Sequence, residues 1–405
     1  MIFEDREYQN KAAEWLAGRN RGIVQIPAGG GKSRVAAMAL NLACSRLDGR
    51  GIIKIGWIAP TKETRDQGMD AINQFPLVSK QDLRVVCASP DVDMSDRDLL
   101  VVDECKHSAS PLWSSIVEQC NNRWGLDATP FGDDDEKNKL ILDIFGGEIL
   151  SIPRSVVQHK LADARVIILN ATDRGVEDAI NKEIERRERR QRNWWMGGLI
   201  PKAERKISDL RASHQSSEAI GRAIAELSGL QSKMWSQCAW QACVDIGIVS
   251  NVARNSAIVS TALKHPSESI LILVNQVEHG ESIVAKIPNS VLCHSKMGVR
   301  ARRNAVAGFR DGSIKTICGT TIFDEGADFQ RASVLIMGCG GRSNAKAEQR
   351  TGRVLRLHKD KPNGGLIYDF GDEGVHPIMR KHAQRRQDLY RSLGYSFVNP
   401  NPLFG

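Results

Sequence analysis

Along the first third of the chain, short apolar runs alternate with stretches of helical spacing. The runs at 22–26, 52–59, 83–88, 99–102 and 124–126 are rich in Val, Ile and Leu and show little alternation of apolar with polar positions. Runs of that kind suit strands covered on both faces. The stretch 35–42 carries a helical pattern, and the chain's start does so through Tyr8, Ala12, Trp15 and Leu16. Polar residues collect just after the strand ends. That is the pattern of an open parallel α/β sheet, whose ligands bind at the carboxyl ends of its strands.

The alternation returns at 270–274, 291–293, 316–318, 334–337 and 366–368, and a basic helix over 379–393 closes the chain. A second α/β domain is expected there. Between the two, from about 174 to 262, the strand signal vanishes. A charge-laced stretch, 183–192, pairs acids with bases one helical turn apart, and 217–247 reads as another helix. Four of the eight tryptophans, Trp194, Trp195, Trp235 and Trp240, lie in this region. They are expected to pack on one another, with a basic, aromatic contact to nucleic acid as the alternative. The expected divisions are 1–165, a helical insertion at 166–262, and 263–405.

Chemistry enters after the first run. Ala28, Gly29, Gly30, Gly31, Lys32 and Ser33 link a strand to a helix. Glycines let backbone N–H groups approach phosphate oxygens, the lysine adds a point charge, and the serine hydroxyl can ligate Mg²⁺. The strict phosphate-loop spacing is not met, because Ile26 stands where the first glycine belongs. Asp103 and Glu104 end a strand of the same sheet. A nucleotide hydrolase needs a carboxylate for its metal and a base for its water, and these two fit those roles.

These segments carry a resemblance. Asp103-Glu104-Cys105 resembles the DExH box of the superfamily 2 helicases and translocases, and 27–33 resembles their motif I. Tyr8-Gln9 is similar to the preceding motif whose glutamine reads adenine. Ala59-Pro60-Thr61 with Gln67 resembles motif Ia, and Asp127-Ala128-Thr129-Pro130 motif III. Residues 320–329 and 349–356 resemble motifs V and VI. The likeness covers about 1–160 and 265–370. Among subgroups it looks nearest to phage and bacterial DExH proteins related to XPB and UvsW.

The resemblance implies two tandem RecA-like domains with ATP and Mg²⁺ between them. Lys32 and Ser33 would hold phosphates and metal, Asp103 the metal, and Glu104 the water. Gln9 would meet adenine, and Asp328 the ribose. Gln349 would lie near the γ-phosphate, with Arg353 and Arg356 as arginine fingers. Thr61, Thr320 and Thr321 would grip a strand. The implied substrate is DNA (single-stranded, forked or branched) in preference to RNA, moved 3′→5′, with replication or recombination proteins as partners. The alternative is an ATPase switch, or the motor of a nuclease complex, that never unwinds. Two positions depart from the pattern. Lys106 replaces the box's histidine, with His107 next to it as the expected substitute, and Asp127 replaces the Ser or Thr of motif III.

Bulk properties add little. A chain of 405 residues suits more than one domain, and its net charge of +8 suits a polyanionic partner. No membrane span or signal peptide is expected, and nine scattered cysteines suit reduced thiols of the cytoplasm.

Overall fold

Two parallel sheets, of six and seven strands, organise the residues that the computed structural model describes. These are 6–27, 29–46, 51–132, 134–158, 163–193, 195–320, 329–354, 358, 361 and 364–399, with the backbone alone for Glu63, Val299, Ala345 and Arg353. The first sheet contains β1 (Arg21–Gln25), β2 (Lys54–Ala59), β3 (Asp82–Cys87), β4 (Leu99–Asp103), β5 (Arg123–Asp127) and β6 (Ile149–Ser151). Its order is β3-β2-β4-β5-β1-β6. The second contains β7 (Ala164–Leu169), β8 (Ile270–Leu273), β9 (Ser290–Cys293), β10 (Thr316–Gly319), β11 (Val334–Met337), β12 (Gly365–Phe370) and β13 (Ser396–Phe397). Its order is β13-β7-β12-β11-β8-β10-β9.

The block pattern of the sequence follows from the cores. Successive residues of a strand point to opposite faces. On one face of the first sheet Val24, Val101 and Trp124 pack with Leu16 and Ala36 from the helices α1 (Glu7–Ala17) and α2 (Lys32–Arg46). On the other, Ile23, Ile58, Leu100 and Val102 meet Trp113, Ile116 and Phe145. Both faces are dry, so β4 and β5 are buried at every position. The second sheet repeats this, with Val166, Leu271 and Leu335 facing one core and Ile167, Ile272 and Ile336 the other. Each such side chain, fully buried, contributes roughly 1.5–3 kcal/mol of transfer free energy.

The second sheet also corrects a boundary. Residues 166–169 were expected in the helical insertion, yet β7 lies between β12 and β13, in register from Ala164↔Gly365 to Leu169↔Phe370. A strand belongs to the sheet that supplies its hydrogen bonds, and here the partner lies far along the chain.

The insertion itself is helical: α4 (Val176–Gln191), α5 (Leu199–Ala212), α6 (Ser217–Ala242), a π-helical turn at Cys243–Val249, and α7 (Val252–Leu263). Ser216 caps α6 by accepting from Ala219 N at 3.2 Å. In the second domain, α8 (Asn344–Val354) follows β11 and α9 (Pro377–Ser392) follows β12. The insertion rests on that domain, because Ile180, Ile184, Ala239 and Ala242 share a core with Val375 and Met379. Asp245 ties the same faces together, accepting from Arg187 at 2.6 Å and from Gln276 at 2.7 Å.

The tryptophans do not share one cluster, contrary to expectation. Trp195 packs with Ile200, Met234 and Cys238 and donates to Gln237 at 2.9 Å. Trp240 tilts against His382 at 4.9 Å, and Trp235 is 43% exposed. Five positions apart on one helix is about 140° of rotation, so their rings leave α6 in different directions. Trp194 lies outside the described residues. All nine cysteines are free thiols. No helix among the described residues is long and apolar enough to cross a membrane.

Candidate active site

β1, β4 and β5 lie side by side and parallel, so their carboxyl ends bring Gln25, Asp103 and Asp127 to one edge of the sheet. The loop from β1 to α2 turns at Gly29 (φ 84) and Gly31 (φ 87), left-handed values that glycine tolerates. A Cβ on Gly31 would stand 2.5 Å from Gln9 Nε2, and one on Gly30 would stand 2.3 Å from Ile26 Cγ2. Ile26, at the missing glycine, therefore fills the space beneath the loop. The Tyr8 hydroxyl and Gln9 Nε2 both donate to the Gly30 carbonyl, at 2.7 and 2.9 Å. Gln9, expected at adenine, is 3% exposed and braces the cradle itself. α2 has no acid in its first turn, which leaves its positive N-terminal end, with Lys32 and Ser33, to face an anion.

Opposite the cradle, Glu104 adopts φ 54 and turns the chain away from β4. Its carboxylate accepts from Lys32 Nζ at 2.6 Å and also pairs with Lys106. Lys106 donates its backbone N–H to Asp127 Oδ2 at 3.0 Å and holds its Nζ 3.8 Å from Asp127 Oδ1. Asp103 is 4% exposed, and its Oδ1 accepts the Glu104 N–H at 3.1 Å. Three carboxylates thus share two lysines.

The charge states follow from that imbalance. Burial pushes Asp103 up to about 7; Lys32 opposes the shift while Glu104 and Asp127 add to it. Asp127 is raised by burial and by Glu104. Burial also opposes the charge on Glu104, but Lys32 and Lys106 outweigh it and hold the pKa well below the usual carboxylate range. Both lysines are held above the ordinary lysine value, because the carboxylates outweigh their burial. A divalent cation beside Asp103 would relieve the excess acid, so the residues present fit Mg²⁺. No group of three or more His, Cys, Asp or Glu among the described residues could hold a metal by itself.

The second domain reaches into this cluster. Gln349, on α8, donates Nε2 to Glu104 Oε2 at 3.2 Å. Beside it, Arg154 lies 3.8 Å from Glu348 and donates to the Tyr395 hydroxyl at 3.1 Å. Arg353 follows Gln349 by one turn of α8. Arg356, Ala28, Asp328 and Thr321 lie outside the described residues.

The candidate strand grips and the histidine have partners within the fold. Thr61 caps the helix α3 (Lys62–Ile72), its Oγ1 accepting from Thr64 N at 3.2 Å. Thr320 is buried, and its N–H reaches Cys293 O at 3.4 Å. His107 stacks on Trp113 at 5.3 Å instead of standing in for the DExH histidine. Lys106 links Glu104 to Asp127 in its place. The two departures of the sequence, a base in one motif and an acid in the other, are thereby a complementary pair. Their opposite charges were the signal that sequence reasoning missed.

The geometry can be set beside known proteins. The family described as "Helicase conserved C-terminal domain" matches residues 253–358. DNA 3'-5' translocase XPB2 of Sulfurisphaera tokodaii is 24% identical over 383 residues, covering 88% of this chain and 80% of that protein. DNA 3'-5' helicase XPB of Kineococcus radiotolerans is 21% identical over 97% of this chain, which spans 64% of that longer protein. In fold, S. cerevisiae Dbp5 bound to RNA and ADP BeF3 superposes with a TM-score of 0.58 at 13% identity, over 99% of this chain and 92% of that one.

Proposed function

We propose that this chain, a superfamily 2 helicase or translocase and so an enzyme that hydrolyses ATP, couples this hydrolysis to movement along DNA. One observation carries the reading: Glu104 is held from both domains, by Lys32 at 2.6 Å and by Gln349 at 3.2 Å. A carboxylate shared across a cleft changes partners when a phosphate arrives. Lys32 would turn from Glu104 to the γ-phosphate, and the backbone of Ala28 to Gly31 with the α2 N-terminus would cradle the rest. Glu104, still placed by Lys106 and Gln349, would then take a proton from the attacking water. Mg²⁺, held by Ser33 and Asp103, would neutralise charge developing on the phosphates.

Arg353 and Arg356 would bring positive charge from the second domain, and Asp328 would meet the ribose. Hydrolysis followed by release of phosphate then removes the anion that draws the domains together, and the cleft opens. The N-terminus of α3, at Thr61, is the candidate strand grip in the first domain. Such contacts with phosphates are tolerant of sequence and sensitive to salt. DNA as substrate and 3′→5′ movement rest on the names of the relatives. Work on forked or branched DNA with replication or recombination proteins in the cytoplasm is the context proposed for them.

The test is ATP hydrolysis measured with single-stranded DNA, duplex DNA, forked DNA and RNA side by side, with strand displacement followed on the fork. DNA is expected to stimulate most. Stronger stimulation by RNA would sink the choice of DNA. Stimulation without displacement would favour the non-unwinding switch or motor subunit.

A further inference from the structure

A second site lies away from the ATP cleft. Where the insertion leans on the second domain, α6, α9 and the start of α8 enclose a cavity of about 600 Å³. Its lining contains six basic residues and no carboxylate. Two of the six are buried; one of these, Arg386, is neutralised by Asp369 at 2.8 and 3.0 Å. The other four, Arg342, Lys346, Lys381 and Arg385, are exposed. Lys381 and Arg385 are one turn apart on α9 and so share a face. Across from them α6 contributes Trp235, a large ring left 43% exposed, and Trp240. Between α6 and the cations, Gly341 has φ 109, and a Cβ there would meet nothing within 4 Å. The backbone is open to close approach at that point.

We propose that this groove binds a single-stranded polynucleotide, its phosphates against Arg342, Lys381 and Arg385 and a base stacked on Trp235. The inference rests on the nucleic-acid motor proposed above and gives the basic, aromatic alternative read from the sequence a definite place. Exposed cations alone would suit any polyanion. An exposed indole in their midst selects one that also offers flat π-faces, which is how sequence-tolerant single-strand sites are built. Burial and the surrounding Arg386, Arg342, Arg385 and Lys381 push His382 down to about 4, consistent with a strongly positive groove. α8 joins this groove to the cleft, since Lys346 lines one and Gln349 reaches Glu104 in the other. A strand seated here would lie against the helix that senses ATP.

The experiment uses the full chain and fluorescein-labelled oligo(dT) and oligo(rU), with binding followed by anisotropy across a salt series. A K381E/R385E variant should bind at least roughly tenfold more weakly. Its slope of log affinity against log salt should be shallower by about 1.4, for two phosphate contacts at about 0.7 each. W235A should weaken binding by roughly five- to a hundredfold with the salt slope unchanged, and W235F should restore most of it. Basal ATPase without nucleic acid reports folding and should be unaltered in all three. Wild-type binding that both W235A and K381E/R385E reproduce, in affinity and slope, would overturn the groove and leave the motor standing. A wild type that binds neither oligonucleotide would overturn the motor first. Binding of oligo(rU) alone would support the groove and overturn DNA as its strand.

Discussion

Both domains bury charge at the carboxyl ends of their sheets, and they do so to opposite effect. In the second domain the buried charges balance. Arg386 donates to Asp369 at 2.8 and 3.0 Å, Tyr390 completes that carboxylate at 2.8 Å, and Arg254 pairs with Asp372. Two arginines meet two aspartates. In the first domain Asp103, Glu104 and Asp127 share Lys32 and Lys106, and Asp103 is pushed up to about 7. A balanced pair holds a fold together. An unbalanced cluster is unfinished until a ligand arrives, and that difference separates structural charge from functional charge in two sheets of the same design.

The largest expected effect that tests this contrast is on Glu104. Glu104→Gln should lower kcat by roughly 10²–10⁴-fold, while a fluorescent ATP analogue still binds, because the proton acceptor is lost and the cradle is not. If instead the variant merely unfolds at lower urea, Glu104 belongs with the structural acids. Next comes the balanced side. Arg386→Ala should cost about 3–5 kcal/mol of stability, by leaving Asp369 buried without its partner. Urea denaturation reads this loss, and hydrolysis per folded molecule should stay near wild type.

Lys32→Ala should cut kcat/KM by roughly 10²–10³-fold, the range for removing one charged donor from a phosphoryl-transfer site, with little change in the urea midpoint. The smallest effect sharpens the comparison. Lys106→His should change basal hydrolysis only a few-fold, because Gln349 still holds Glu104 after Lys32 has turned to the phosphate, yet reduce stimulation by DNA. Equal changes in basal and stimulated rates would remove Lys106 from the coupling between Glu104 and Asp127.

Much of this was readable from residues. Central strands covered on both faces must be apolar at every position, so 99–102 and 270–274 declared a parallel sheet without any partner in view. Gly29 to Ser33, glycines followed by Lys-Ser between a strand and a helix, suggested a phosphate loop although the strict spacing is not met. Glu104 followed, as an acid at a strand end in the same domain.

Other features depended on contacts between distant parts of the chain. β7 was assigned by β12, which supplies its hydrogen bonds from the far end of the sequence. That Gln9 also braces the phosphate loop became visible only with the loop folded over it. Lys106 and Asp127 looked like two separate losses until β4 and β5 lay side by side, since a charge acquires meaning from what surrounds it in space. The groove of Trp235 and Arg385 is the extreme case, because its members lie on helices that meet only when the insertion packs on the second sheet. Periodicity is a local property and survives in the linear chain. Pairing, burial and the balance of charge are sums over neighbours, and only the fold supplies them.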